Sequence, residues 1–150
     1  MDNQQGRTVG PDFIAGLVVG EGSFLLAAHK VRGGKLRIKP QFYMQMNDGE
    51  TMQIVYRSLK EAGIGAHLHH RPNRGCWTLQ VAGFQRMRSL INYLGPWLTG
   101  QKKKAADVVY LYIKGRLDLP PSAPYTDEDV EFVKELRAIN GNQRGRKNPL

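Results

Sequence analysis

The chain has 150 residues with a hydrophobic content of 41%, which suits one domain with a single core. Lys and Arg number 22 against 13 Asp and Glu, so the net charge of +9 favours a polyanionic partner, with nucleic acid ahead of a membrane surface. No apolar run reaches the ~18 residues of a membrane span, and the single cysteine, Cys76, excludes an internal disulfide and a cysteine-cluster zinc site.

The first predicted element is a helix within the segment Phe13–Phe24, and this helix has two different faces. One face carries large apolar residues at helical spacing and is expected to lie on the core: Phe13, Ile14, Leu17 and Val18. The other face has small side chains: Ala15, Gly16, Val19 and Gly20. Glycines four residues apart let two helix backbones approach closely, so we expect another helix to pack there.

Glu21 follows at the end of this helix, where the exposed carbonyl groups form the negative pole of the helix dipole. A carboxylate is unfavourable there by a few tenths to ~1 kcal/mol, so a positive group should offset it. If the small face packs against a second copy of the chain, two Glu21 carboxylates converge and need a divalent cation or a shifted protonation state. The segment therefore predicts a metal site.

The nine residues Ile14–Gly22 resemble the motif of the LAGLIDADG homing endonucleases, specifically the single-motif members that act as homodimers. The match keeps Ala15, Gly16, Gly20, Glu21 and Gly22. Val19 stands at a position that is often acidic in the family but is not the metal ligand. An ordinary helix that ends in a glycine cap has the same pattern, and only the rest of the chain can separate the two interpretations.

The resemblance implies a metal site made by Glu21 and Gly20, with Mg²⁺ as the cofactor and Mn²⁺ or Ca²⁺ able to substitute in binding. It also implies a dimer interface in which the two motif helices meet. That interface would be made by Ile14, Ala15, Gly16, Val19 and Gly20.

A hairpin is predicted next, with strands from Ser23 to Val31 and from Leu36 to Met46 and a turn at residues 32–35. The second strand alternates, with Leu36, Ile38, Phe42, Met44 and Met46 on its apolar side. Its other side carries Lys35, Arg37, Lys39, Gln41, Tyr43, Gln45 and Asn47. These side chains suit phosphates and base edges and include no acid, so we predict DNA contacts by this side and by His29. A solvent-facing basic strand is the alternative.

A helix from Gly49 to Ala62 precedes a second hairpin, with strands from Ala66 to Arg71 and from Cys76 to Ala82. The predicted DNA-contacting residues of this hairpin are His67, His69, Arg71, Arg74, Thr78 and Gln80. His67 and His69 also suggest zinc, but no convincing further ligands accompany them, so DNA contact ranks higher. Both can also be simple surface histidines.

Two further catalytic positions come from the resemblance. Asn47 falls where the family has a polar residue that orients a metal-bound water, although an Asn at this junction can equally cap the next helix. The segment from Pro96 to Ala105 looks like the family region that supplies a basic residue beside the scissile phosphates. Gapless spacing places Gln101 at the basic position. Because Gln carries no charge, the role passes to Lys102 or Lys103. A solvated basic turn is the alternative.

The remaining helices are predicted at Phe84–Leu94, at residues 101–114 and after Thr126, a plausible N-cap that follows a proline-rich linker. Residues 141–150 lose all periodicity and predict a disordered basic tail with non-specific affinity for phosphates. The chain therefore divides into an N-terminal arm (1–9), a single endonuclease domain (10–140) and this tail (141–150).

This element order predicts an α+β domain whose four-stranded antiparallel sheet has helices on one face and a basic face on the other. It is the α-β-β-α-β-β-α core of the LAGLIDADG homing-endonuclease fold, in which the basic face forms a DNA-binding saddle. The resemblance implies an intron-encoded, Mg²⁺-dependent, site-specific double-strand DNA endonuclease. It would act as a homodimer on a long pseudo-palindromic target, without a small-molecule cofactor or a membrane partner.

We expect the protein to work at DNA inside the cell, in a bacterial cytoplasm or nucleoid or in an organelle, because its first residues lack the apolar region of a secretion signal. The main alternative is a catalytically inactive nucleic-acid-binding module on the same fold, either an intron maturase or a transcriptional regulator. A ribosomal type of RNA-binding protein explains the charge but leaves Gly16, Gly20 and Glu21 unexplained.

Overall fold

A computed structural model of the chain describes residues 6–141. Within them the elements are α1 (Pro11–Glu21), β1 (Gly22–Lys30), β2 (Leu36–Met46), α2 (Gly49–Glu61), β3 (His67–Arg71), β4 (Cys76–Ala82), α3 (Phe84–Leu94), α4 (Gly100–Leu117) and α5 (Asp127–Asn140). Short 3₁₀ turns lie at Pro72–Arg74 and Gly95–Trp97. The predicted order of helices and hairpins is confirmed, with α4 longer at its C-terminal end than the sequence pattern indicated.

The four strands form one antiparallel sheet in the order β1-β2-β4-β3. The β1–β2 hairpin turns at Gly33 and Gly34, whose φ angles of 88° and 78° lie in the left-handed region that glycine adopts without strain. The register sets Gly22 opposite Met44 and Met46 opposite Trp77. The start of β1, the end of β2 and the start of β4 therefore lie at the same end of the sheet.

The core lies between one face of the sheet and the helices. The buried side chains on this face include Phe24, Leu26, Ile38, Phe42, Met44, Leu79 and Val81. Helices α1, α3, α4 and α5 contact β1 or β2, and α2 contacts β3 and β4. The predicted α+β architecture, with a helix-packed face and a polar face, is confirmed.

The linker between α4 and α5 is fastened by a buried arginine. Arg116 donates hydrogen bonds to the carbonyl oxygens of Ala123 and Pro124, at 2.9 and 3.3 Å, and its guanidinium lies 4.1 Å from the centre of the Tyr125 ring. The next helix begins with a capping box in which Thr126 and Asp129 bond each other's backbone N–H groups, as the Thr126 prediction requires.

The described part of the predicted N-terminal arm lies along α2. The Val9 N–H donates to Ser58 Oγ at 2.9 Å, and Arg57 donates to the Arg7 carbonyl oxygen at 2.8 Å. The predicted tail, apart from Gly141, lies outside the described residues. None of the helices in the described part of the chain has the length and apolar character needed to cross a membrane.

Candidate active site and nucleic-acid interface

The polar face of the sheet brings the predicted DNA-contacting side chains of three strands into cross-strand rows. Tyr43 lies opposite Gln80, which lies opposite His67. The next row joins Gln45, Thr78 and His69 in the same way. Since none of the four described strands contains Asp or Glu, this face carries positive charge that no acid on the sheet offsets.

The same face continues onto β1, where the sequence analysis named only His29. The register places Ser23, Leu25 and Ala27 beside Tyr43, Gln41 and Lys39, and His29 beside Arg37. Their alternation with the buried Phe24 and Leu26 was the signal that assigns them to the polar face. Lys35 and Arg74 lie outside the strands, in or beside the hairpin turns, and are exposed.

Cys76 is a further residue of this face that sequence reasoning did not assign. Its side chain is buried, and the Gln45 amide nitrogen donates a hydrogen bond to Cys76 Sγ at 3.0 Å. The bond uses one of the two amide donors and leaves the Gln45 carbonyl oxygen as an acceptor at the exposed surface. Cys76 therefore orients a predicted base-contacting side chain.

Glu21 is the last residue of α1, and β1 begins at the next residue without an intervening loop. A Cβ atom at Gly22 would lie 2.8 Å from Val18 Cγ1 and 2.9 Å from Phe42 Cε1, closer than packed atoms allow. The motif glycine is thus required by the tight packing between α1 and β2. This packing holds the exposed Glu21 carboxylate at the end of the sheet.

Lys102 reaches the same place from the first turn of α4. Its ammonium group donates a hydrogen bond to the Gly22 carbonyl oxygen, although the two residues are 80 positions apart in the chain. Helix α1 has no basic residue in its own last turn, and the Lys102 ammonium on the Gly22 carbonyl places a positive charge at the negative end of the helix dipole.

The other two candidates for the basic position do not show this contact. Lys103 forms an ion pair with Asp107 on its own helix, with 2.9 Å between Lys103 Nζ and Asp107 Oδ1. Gln101 is exposed. The structure thus distinguishes Lys102 from Lys103, which the spacing of the sequence left open.

Asn47 follows the last residue of β2 and is exposed. The cap of α2 is its neighbour Asp48, which accepts hydrogen bonds from the Thr51 hydroxyl at 2.6 Å and the Thr51 N–H at 3.0 Å. These two bonds lower the pKa of the Asp48 carboxyl below its usual range. The cap of α2 is therefore Asp48 and not Asn47. Asn47 lies three residues after Met44, about 10 Å along the strand direction from the Gly22–Met44 pair.

The oxygen donors at this end of the sheet fit a hard divalent cation. Glu21 offers a carboxylate, and the last backbone carbonyl groups of α1, including that of Gly20, have no partner within the helix. Among the described residues, no group of three or more His, Cys, Asp or Glu side chains forms a complete metal site. Mg²⁺ does not need one, because it keeps several waters and takes one or two carboxylates together with substrate phosphates.

The exposed face of α1 differs from the predicted one. Ile14 and Ala15, predicted at the dimer interface, are 1% and 0% exposed because they pack into the core of their own protomer, whereas Phe13, predicted in the core, is 47% exposed. The exposed or half-exposed residues at helical spacing are Phe13, Gly16, Leu17 and Gly20, with Val19 beside them. Cβ atoms at Gly16 and Gly20 would meet nothing within 4 Å, so both glycines of the predicted small face lie outward, whereas its Ala15 does not.

Trp97 extends this apolar surface, which the sequence analysis did not anticipate. The turn Gly95–Trp97 packs beside α1, and the Trp97 side chain is 53% exposed. We refer to Phe13, Gly16, Leu17, Gly20 and Trp97 as the α1 seam. The available signal in the sequence was a Trp directly after a Pro that breaks a helix.

No family model and no curated protein matches the chain by sequence. Solved structures do match it. The homing endonuclease I-CvuI, solved in complex with the I-CreI target in the presence of Mg, superposes with a TM-score of 0.73 and 17% identity over 89% of this chain and 84% of its own. The archaeal intron-encoded homing endonuclease I-Vdi141I, complexed with DNA, gives a TM-score of 0.73 and 20% identity over 92% and 87%.

A further match is longer than this chain. The LAGLIDADG homing endonuclease I-GzeII, in complex with its DNA target, has a TM-score of 0.67 and 16% identity over 88% of this chain but only 44% of its own. The chain thus corresponds to nearly all of some of these proteins and to about half of others. At these identities the likeness concerns the fold, and the predicted LAGLIDADG homing-endonuclease fold is confirmed.

Proposed function

We propose that the protein is a site-specific double-strand DNA endonuclease that acts as a homodimer with a divalent metal ion. The observation that carries the proposal is that Glu21, Lys102 and, about 10 Å further along β2, Asn47 lie at the same end of a sheet whose strands contain no acid. A surface that attracts phosphates thus ends at a carboxylate, an amide and a cation. The homing endonucleases of the same fold that were solved with DNA support double-stranded DNA as the substrate.

The polar sheet face would bind in the major groove, where a two-stranded ribbon fits and where each base pair presents a distinct pattern. Arg37, Lys39 and Arg71 suit phosphates or guanine, and Gln41, Gln45 and Gln80 suit adenine. The remaining proposed contacts are His29, Lys35, Tyr43, His67, His69, Arg74 and Thr78. A helix-free, basic face of this breadth supports duplex DNA over a membrane or a small-molecule partner.

Two features support the homodimer: the α1 seam and the position of Glu21. Each protomer contributes one Glu21 at the α1–β1 junction, and a second copy would supply a second carboxylate there. The seam exposes Phe13 and Trp97 beside two glycines, which is the surface that a close helix pair would bury. Joining two protomers through α1 brings both Glu21 residues towards the two-fold axis and makes the target pseudo-palindromic.

In this mechanism Glu21 and the neighbouring Gly20 carbonyl would hold Mg²⁺, for which Mn²⁺ or Ca²⁺ can substitute in binding. When bound, the ion lowers the pKa of water and stabilises the leaving oxygen of an in-line displacement. Asn47 orients the attacking water through its side-chain carbonyl oxygen. Lys102 leaves the Gly22 carbonyl for the scissile phosphate and stabilises the charge that develops there.

The test is selection of cleaved molecules from a library of randomised duplexes with Mg²⁺, run with the parent and with Glu21→Gln. We expect the parent alone to cut, at a pseudo-palindromic consensus, and Glu21→Gln to bind that consensus without cutting. Glu50→Gln, an exposed acid in the first turn of α2, is the matched control and should cut like the parent.

Two outcomes would contradict the proposal. Mg²⁺-dependent cutting by Glu21→Gln at the parental rate would remove Glu21 from the reaction. Enrichment of a bound sequence without cutting by either protein would favour the maturase or the regulator, which bind without cleaving.

A further inference from the structure

We propose that a groove between α2 and β3 binds single-stranded nucleic acid, at the same time as duplex DNA occupies the polar sheet face. The groove is lined by Gln53, Tyr56, Arg57, Lys60, Leu68 and Trp77 and has a volume of about 410 Å³. We refer to it as the α2–β3 groove. The inference goes beyond the proposed endonuclease activity and rests on it only for the duplex that occupies the polar sheet face.

The groove follows from the geometry of α2 over the end of the sheet. Its four α2 residues are spaced at 53, 56, 57 and 60, which is one face of a helix. Leu68 and Trp77 form the floor from β3 and β4. The volume lies in the range of ~300–1,000 Å³ that is typical of small-ligand pockets, so the groove has room for one nucleobase with its sugar.

The aromatic floor is held in place before any ligand arrives. The His70 ring stacks on the Trp77 indole with 4.3 Å between ring centres and 16° between planes. The Gly49 backbone lies so close on another side that a Cβ there would be 2.5 Å from Trp77 Nε1. With Tyr56 on the facing wall, the groove offers two ordered aromatic side chains against which a base can stack.

The polar lining selects an anionic ligand with an aromatic body. Arg57 and Lys60 are cations, Gln53 is an amide that can bond a base edge, and none of the described residues that line the groove is an acid. Aromatic faces beside cations are the usual arrangement for single strands, because stacking binds the bases and the cations follow the backbone. A purely apolar partner would place the exposed Lys60 ammonium against an apolar surface.

The groove and the polar sheet face lie on opposite sides of the sheet. Successive residues of a strand point to opposite faces, so Trp77 and Leu68 lie on the helix side while Thr78 and His69 lie on the polar side. A duplex on the polar face therefore does not cover the groove. The two ligands should bind together, not in competition.

The experiment measures the fluorescence anisotropy of short labelled single-stranded RNA and DNA, using full-length protein that has been saturated with unlabelled duplex. We expect binding to persist in the presence of the duplex. Tyr56→Leu should weaken it by about fivefold or more, the usual loss when a base loses an aromatic partner. Lys60→Glu should weaken it similarly without touching the core, because Lys60 is exposed.

Lys39→Glu is the matched control, since it makes the same charge change on the polar sheet face. It should weaken duplex binding and leave single-strand binding at saturating duplex unchanged. The proposal is overturned if the duplex displaces the single strand completely, if Lys60→Glu binds like the parent, or if Lys60→Glu and Lys39→Glu have equal effects on both ligands. Circular dichroism of each variant checks that it is folded.

Discussion

Lys102 shows what the linear sequence can and cannot say about a single residue. Three consecutive lysines at 102–104 mark a basic turn, and the family spacing points to Gln101 as readily as to its neighbours. The choice depends on how α4 sits against the end of α1, which no local pattern encodes. In the structure the Lys102 ammonium lies on the Gly22 carbonyl oxygen, while Lys103 is paired with Asp107. The sequence likewise leaves Asn47 between two roles, and the structure assigns the cap of α2 to Asp48.

We predict that Lys102→Met lowers the cleavage rate by about a hundredfold or more while target binding changes little. Removing a single group that stabilises transition-state charge typically costs this much. Single-turnover cleavage of the selected target measures it. Lys103→Met is the control, and it should cut at nearly the parental rate because it loses only a surface i,i+4 ion pair. Equal losses in the two variants would return the assignment to the lysine cluster as a whole.

Among the elements, α1 was predicted most clearly, but some of its residues were assigned to the wrong face of the helix. Its sequence is apolar nearly all round, so periodicity locates the helix but gives little direction. Packing decides which side chains of α1 are buried. Ile14, Ala15 and Val18 pack into the core, and Phe13 is exposed beside the glycines. By contrast, β2 alternates strictly between basic or polar and apolar residues, and its bounds and both of its faces agree with the prediction.

We expect Phe13→Glu to convert the proposed homodimer into a monomer and to abolish cleavage, because a charge in the α1 seam cannot be buried without a partner. Sedimentation velocity measures the oligomeric state. Leu111→Glu is the control, since Leu111 on α4 is 57% exposed and lies outside the seam. It should leave the dimer intact. A parent protein that is monomeric with and without DNA would refute the interface.

Over the described part of the molecule, the acidic residues all lie outside the sheet. The four strands contain no acid, whereas α5 in the helix layer holds five of the 13 Asp and Glu residues, at 127, 128, 129, 131 and 135. Composition predicts the net charge of +9 but not this division, which depends on which side of the sheet each element packs. The sequence pattern did predict an acid-free second strand, and the sheet extends that property to its neighbours.

We predict that the affinity for duplex DNA falls steeply with salt, with a logarithmic slope of about 0.9 for every phosphate neutralised. Arg37→Ala should reduce that slope by about one if Arg37 contacts a phosphate. Anisotropy titrations at several KCl concentrations measure the slope. Lys114→Ala, in the last turn of α4, removes the same charge away from the sheet and should leave the slope unchanged. An identical reduction by both variants would mean that net charge, and not the sheet face, determines binding.

The junction between α1 and β1 has a consequence for redesign of the protein. Because β1 begins at the residue after Glu21 and Gly22 allows no added atom, the helix of the seam and the first strand of the sheet have no hinge between them. In the proposed homodimer, a substitution that tilts one seam helix against the other would therefore tilt both sheets and change the spacing of the two half-sites. Variants intended for new base sequences are best confined to β2, β3 and β4, and variants intended for new spacings to α1.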